Sequence, residues 1–192
     1  CSTNSPELMM APAYLQCKDL KKAKNKNRMI KLTTQQLAQI LNANLIGDGQ
    51  AVVENINTDT RKSVSNSLFF ALKGEHFDAH QYLDKAVEQG ATALVVQQAN
   101  TEIATPQLVV ADTRLALGQL AKWLREKINP RTVAMTGSSG KTTVKEMTAS
   151  ILQQTAGNPE AVLFTNGNFN NDIGVPLTLL RLTEQHKFAV IE

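Results

Sequence analysis

Thr136-Gly137-Ser138-Ser139-Gly140-Lys141-Thr142-Thr143 is the stretch whose residue types and spacing could do chemistry. Two glycines let a backbone pass close to a polyphosphate and turn its N–H groups inward. Lys141 follows at once and could reach the β- and γ-phosphates, and the Thr142 hydroxyl suits a Mg²⁺ coordination shell. Gly137, Ser138, Ser139, Gly140, Lys141, Thr142 and Thr143 are therefore the candidate nucleotide-binding residues. The general phosphate loop, GxxxxGK[ST], needs a Gly at position 135, where Met135 stands, so the match is to a shorter version. An ordinary strand-to-helix turn with a solvated lysine leaves the run Gly-Lys-Thr-Thr unexplained.

Such a loop needs a strand before it and a helix after it. Thr132-Val133-Ala134-Met135 reads as the strand, and Val144, Met147, Ile151 and Leu152 recur at helical spacing, predicting an amphipathic helix. The helix N-terminus adds a favourable dipole for anions. Upstream, Asp112 is placed to cap a long helix with Leu115, Leu117, Leu120, Trp123 and Leu124 on its apolar positions, ended by Asn129-Pro130. Downstream, Val162-Leu163-Phe164 predicts a strand. An Asn-rich loop follows over 165–171, then a helix after Pro176 carrying Leu177, Leu179, Leu180 and Leu182. Phe188-Ala189-Val190-Ile191 predicts a buried strand ending on Glu192, and a carboxylate at the C-terminal end of a strand is where α/β folds place metal ligands.

The first part of the chain has a different texture. Thr33 and Gln36 read as a capping box with Leu32 and Leu37 as a hydrophobic staple, and Leu37, Ile40 and Leu41 form the buried stripe. Val53, Asn55 and Ile56 suggest a short strand, 67–72 a second and more apolar one, and 93–96 and 108–110 two further β-type runs. A helix with Leu83, Ala86 and Val87 inward ends at Gly90. The expected fold is α/β: a small mixed domain over 29–111, then the start of a mostly parallel-sheet domain over 112–192.

At 192 residues the chain is long enough for one large or two small domains, and 42% hydrophobic residues with few aromatics fit an ordinary α/β protein. No apolar run approaches the roughly 18 residues of a membrane span. Cys1 and Cys17 are too few for a disulfide framework, which makes a reducing compartment the default. The net charge of +3 is concentrated at the start. Residues 1–28 hold six basic and two acidic groups, leaving 14 basic and 15 acidic in the other 164, so no bulk attraction to nucleic acid is indicated. Residues 1–28 read as a disordered or vector-derived leader with Met29 as the natural start. A basic arm touching nucleic acid, or a processed lipoprotein terminus at Cys1, are the weaker readings of it.

Several blocks together resemble the Mur ligases. They are Asp59-Thr60-Arg61-Lys62, the runs 68–74 and 77–80, the loop 136–143, the Asn-rich block 167–180 and Val190-Ile191-Glu192. The short phosphate loop is that family's own version. The Asn-Asn-x-x-Gly-x-Pro pattern is more specific than the loop alone, and the branch it fits best adds D-alanyl-D-alanine. The resemblance implies ATP-driven amide formation in cytoplasmic peptidoglycan precursor synthesis, between UDP-N-acetylmuramoyl-tripeptide and D-alanyl-D-alanine; a monomer is expected. It implies that Lys141 binds phosphate, that Thr142 is a ligand of a first Mg²⁺ and Glu192 of a second, and that Lys141 and Glu192 are catalytic. Thr60, Arg61 and the segment around 74–80, with His80, would form the uridine side, and Asn170 and Asn171 would bond the diphosphate or sugar. Arg61 also reads as a surface ion-pair residue, and His80 equally as a hydrogen-bonded structural histidine. His76 and His186 read as solvated.

Family members are longer, with a third domain and a carbamoylated lysine outside these residues. The resemblance thus implies an N-terminal portion that is inactive alone. Two other readings stay open. One is a sister ligase, either the tripeptide-forming Mur enzyme or folylpolyglutamate synthase. The other is a non-catalytic module that binds a UDP-sugar or nucleotide.

Overall fold

The computed structural model describes residues 30–74 and 78–192. The leader over 1–28, the start at Met29, both cysteines and His76 lie outside the described residues.

The chain enters through β1 (Leu32–Thr33) and α1 (Thr34–Leu41). The expected capping box is present: the Thr33 hydroxyl accepts from Gln36 N–H, and the Gln36 carboxamide accepts from Thr33 N–H. Leu32 and Leu37 are both buried, as the staple requires. Next come β2 (Asn44–Ile46), β3 (Val52–Val53) and β4 (Asn55–Asn57). The single strand expected around Val53 to Ile56 is thus two. β3 pairs with β1, whereas β4 joins the larger sheet, and Glu54 lies between them. β5 (Ser67–Phe70), α2 (Leu83–Glu88), β6 (Ala91–Val96) and β7 (Gln107–Val109) complete the first part. Five strands lie in the order β2-β7-β6-β5-β4, parallel except for β2 against β7. β5 is buried along its whole length, and β6 nearly so, which is why both read as continuous apolar runs rather than as alternation.

α3 (Thr113–Ile128) follows, its first turn capped by Asp112. Its inward face is Thr113, Ala116, Leu117, Leu120, Ala121 and Leu124. Leu115 was expected on that face and is exposed. At about 100° per residue it points away from the line through 113, 117, 120 and 124. One core joins Leu37 and Leu41 of α1, Leu68, Phe70 and Leu108 of the first sheet, and the α3 face. It continues into Leu163, Leu180, Ala189 and Ile191 of the second part, so α3 is shared by both.

The second part is β8 (Arg131–Ala134), α4 (Lys141–Ala156), β9 (Val162–Phe164), α5 (Gly174–Leu179) and β10 (Phe188–Ile191). Its three strands are all parallel, in the order β8-β10-β9. α5 begins at Gly174, before Pro176, and Leu180 and Leu182 lie beyond its end. Pro is tolerated there because first-turn N–H groups have no intrahelical acceptor. α4 departs further from expectation. Val144, Met147 and Ile151 are more than half exposed, and the buried positions are Lys145 and Ala149, with Leu152 partly buried. Periodicity locates a stripe but not the direction it faces. Here the small side chain of Ala149 lets the helix approach Val162 and Val190 closely.

Candidate functional site

The phosphate loop leaves the carboxyl end of β8. Ile191 is paired with Ala134, and Met135 N–H donates to the Ile191 carbonyl at 2.9 Å, so Glu192 emerges level with the start of the loop. Parallel sheets bind ligands at this edge. Gly140 is the N-cap of α4 with φ 76°, a left-handed conformation that favours glycine. No side chain caps this helix, so its first N–H groups are open to an anion. Lys141 folds back, its ammonium 2.6 Å from the Gly137 carbonyl. Ser138, Ser139 and Thr143 are exposed around it.

Glu192 is the point where the segments meet. Its Oε2 accepts from the Thr142 hydroxyl at 3.4 Å and lies 3.3 Å from the Lys145 ammonium, while Oε1 accepts from the Asn170 carboxamide at 3.3 Å. The backbone is fixed from behind, where Glu192 N–H donates to the buried Thr165 hydroxyl at 3.0 Å. Burial opposes ionisation of Glu192. The Asn170 hydrogen bond, the Lys145 hydrogen bond and charge, and the Lys141 charge outweigh it and hold the carboxyl below its ordinary range. Two hard oxygens, one hydroxyl and one carboxylate, thus face each other beside the open loop. That donor set fits Mg²⁺, which keeps several waters and takes the rest of its shell from phosphates. Among the described residues no cluster of three His, Cys, Asp or Glu offers a denser metal site.

The Asn-rich loop is held by its own side chains. Asn171 Oδ1 accepts from Gly174 N–H at 2.6 Å and Ile173 N–H at 3.3 Å, starting α5. A Cβ at Gly174 would lie 2.6 Å from the backbone of Phe169, so only glycine lets the loop fold over the helix start. Asp172 reaches Arg114 of α3 at 3.2 Å. The loop therefore delivers Asn170 to Glu192, while the Asn171 carboxamide oxygen is used within the loop.

The first-part candidates lie in a separate setting. Arg61 makes a two-pronged pair with Asp59, Nε to Oδ1 and Nη2 to Oδ2, both 2.9 Å. The Arg61 side chain is 84% exposed. The Arg61 side-chain hydrogen bonds, with its backbone N–H, lower the Asp59 carboxyl to about 2. Thr60 sits half-buried in the same turn. His80 Nδ1 is 2.6 Å from Asp78 Oδ1, and Nε2 accepts from Gln97 N–H at 3.0 Å. An accepting Nε2 places the proton on Nδ1, facing the carboxylate. The His80 backbone and side-chain bonds hold the Asp78 carboxyl down in turn. A polar hollow of about 420 Å³ opens here, between Lys73, Asp78 and His80 on one side and the loop 97–102 on the other. That loop is tied by the buried Gln107, whose Oε1 accepts from Asn100 N–H while Nε2 donates to the Asn100 and Ile103 carbonyls.

The structure thus brings Lys141, Thr142, Asn170 and Glu192 to one place and keeps Arg61, Thr60 and His80 within the first part. The sequence reading missed Lys145 and Thr165. Lys145 had a signal, since it lies one helical turn beyond Lys141 on the same face. His186, read as solvated, is half-buried. Its Nδ1 accepts from Thr183 N–H at 2.9 Å, and burial lowers its pKa.

Residues 52–125 match the profile described as the Mur ligase family catalytic domain, and residues 135–192 that of the Mur ligase middle domain. The UDP-N-acetylmuramoyl-tripeptide–D-alanyl-D-alanine ligase of Haemophilus influenzae is 84% identical over 85% of this chain. A crystal structure of MurF from Acinetobacter baumannii superposes with a TM-score of 0.78 at 43% identity, again over 85% of the chain. A MurF ligase from Thermotoga maritima in complex with ADP gives a TM-score of 0.61 at 28% identity over 71%. The chain spans only 36%, 36% and 31% of those three proteins respectively. Two adjoining family domains, with the loop, the Asn-rich block and the strand-end glutamate assembled at one sheet edge, settle the lineage: the chain belongs to the Mur ligase family.

Proposed function

We propose that this chain carries the UDP-substrate dock and the phosphate-binding part of an ADP-forming ligase that joins D-alanyl-D-alanine to UDP-N-acetylmuramoyl-tripeptide. The observation that carries this reading is the convergence of the uncapped Gly140–Lys141 helix start with Thr142 and Glu192 at the carboxyl edge of parallel strands. Identity of 84% to a ligase of that name supports the choice of substrates.

In the reaction, the tripeptide carboxylate attacks the γ-phosphorus of ATP and ADP leaves. The D-alanyl-D-alanine amine then attacks the acyl carbon, releasing phosphate. Positioning and charge neutralisation supply the catalysis. Lys141 swings from the Gly137 carbonyl to the β- and γ-phosphates, and the α4 N–H groups cradle them. Thr142 and Glu192 would hold Mg²⁺, and the Asn170 hydrogen bond would keep the Glu192 carboxylate in place for it. When bound, Mg²⁺ adds positive charge beside the transferring phosphoryl group.

Residues 29–111 form the UDP-substrate domain on this reading and 112–192 the first part of the ATP domain. Thr60, Arg61, the hollow beside His80, and Asn171 contact the nucleotide sugar. Location is cytoplasmic and the protein is a monomer. No helix among the described residues is long and apolar enough to cross a membrane.

The test is phosphate release by the full-length protein, with each substrate omitted in turn. Release should require both the UDP-tripeptide and D-alanyl-D-alanine. Release supported by a UDP-dipeptide and a diamino acid instead would favour the sister ligase, and none with any acceptor a binding module. Arg61→Ala should raise KM for the UDP substrate and leave KM for ATP nearly unchanged. Equal effects on both would refute its placement in the dock.

A further inference from the structure

Lys145 has no part in the reading above, yet it is one of the largest fully buried side chains in the protein, with 2% of its side chain exposed. Its ammonium lies 3.3 Å from Glu192 Oε2, on a carboxylate only 4% exposed. Packing does not explain a cation here. The helix already packs on the strands through Ala149 against Val162 and Val190, and at a buried position an apolar side chain of similar volume often serves as well as an ion pair.

The position of the contact is more informative. Oε2 is also the oxygen that faces the Thr142 hydroxyl, so Lys145 stands against the atom best placed to take a metal. Lys141 lies one turn away on the same helix. Without nucleotide, one carboxylate is set against two ammonium groups, and a divalent cation arriving alone meets no net attraction. The phosphates of a nucleotide reverse that balance.

We propose that Lys145 is a built-in counter-ion for Glu192 that makes metal entry depend on nucleotide. It occupies the carboxylate while the site is empty and suppresses binding of a free divalent cation, and the metal enters with the polyphosphate. The inference rests on the assignment of Glu192 and Thr142 as metal ligands, and its test separates the two.

Mn²⁺ binding to the full-length protein, followed by electron paramagnetic resonance of the free ion, reads the effect without turnover. Wild-type protein should bind Mn²⁺ weakly without nucleotide and far more tightly with ADP. Lys145→Met and Lys145→Gln should each tighten nucleotide-free binding by about tenfold or more, whereas Lys145→Arg, which keeps the charge, should not. Tight nucleotide-free binding by wild-type protein would overturn the proposal whatever the variants do. So would unchanged affinity in a folded Lys145→Gln protein while Glu192→Gln still weakens Mn²⁺ binding in the presence of ADP. If Glu192→Gln leaves that binding intact, the ligand assignment fails and the proposal with it.

Discussion

Helices α3 and α4 have the same length, sixteen residues, and opposite characters. The Asp112 carboxylate closes the start of α3 by accepting from Arg114 and Leu115 N–H at 2.7 and 3.0 Å, whereas α4 starts on Gly140 with no side chain over its N–H groups. α3 buries six residues, including three leucines, in the core shared by both parts. α4 buries two, and one of those is a lysine. A helix that must hold a fold satisfies its own ends and fills its face. A helix that must receive an anion leaves its end unsatisfied and gives up that stabilisation until the ligand arrives.

Four substitutions would break or sharpen this contrast. Leu120→Ala, in the dry face of α3, should cost about 2–5 kcal/mol in chemical denaturation, since the cavity opens in a core common to both parts. A cost near zero would mean that α3 does not join them. Lys141→Ala should do the reverse, leaving the denaturation midpoint almost unchanged while lowering kcat by about 100-fold or more, equivalent to about 2.7 kcal/mol. Asp112→Ala should cost about 1 kcal/mol through loss of the cap, and a silent result would show that water serves the α3 start as well. The smallest effect belongs to Ile151→Ala on the exposed face of α4, expected within about 0.5 kcal/mol. A loss of more than 1 kcal/mol there would mean that this face is covered in solution.

The same contrast explains what could be read before the structure. Local signals were legible because they are local: the Thr33–Gln36 capping box, the Asp112 cap, and the glycines bracketing the phosphate loop each lie within a few residues of what they control. The continuous apolar runs of β6 and β10 were legible because burial on both faces leaves little alternation. The three-residue β2 was not, since Asn44-Leu45-Ile46 is a strand only by virtue of β7 beside it. The direction of α4 was hidden for the same reason, because the sheet that chose Ala149 over Met147 lies elsewhere in the chain. Within the site, Glu192 stood out by its place at a strand end. Asn170 stood out only as one of several asparagines, and the contact of Lys145 with Glu192 becomes visible once α4 and β10 are side by side.

Gln107 shows how little material can set the shape of a surface. The loop that borders the polar hollow beside His80 is fastened by one buried carboxamide on β7, which donates to Asn100 and Ile103 carbonyls and accepts from Asn100 N–H. Gln107→Glu, a change of one heavy atom, would replace the donor with oxygen. Two attractions would become two repulsions in a place water does not reach. Gln107→Glu would therefore loosen the mouth of the hollow while leaving every strand in register.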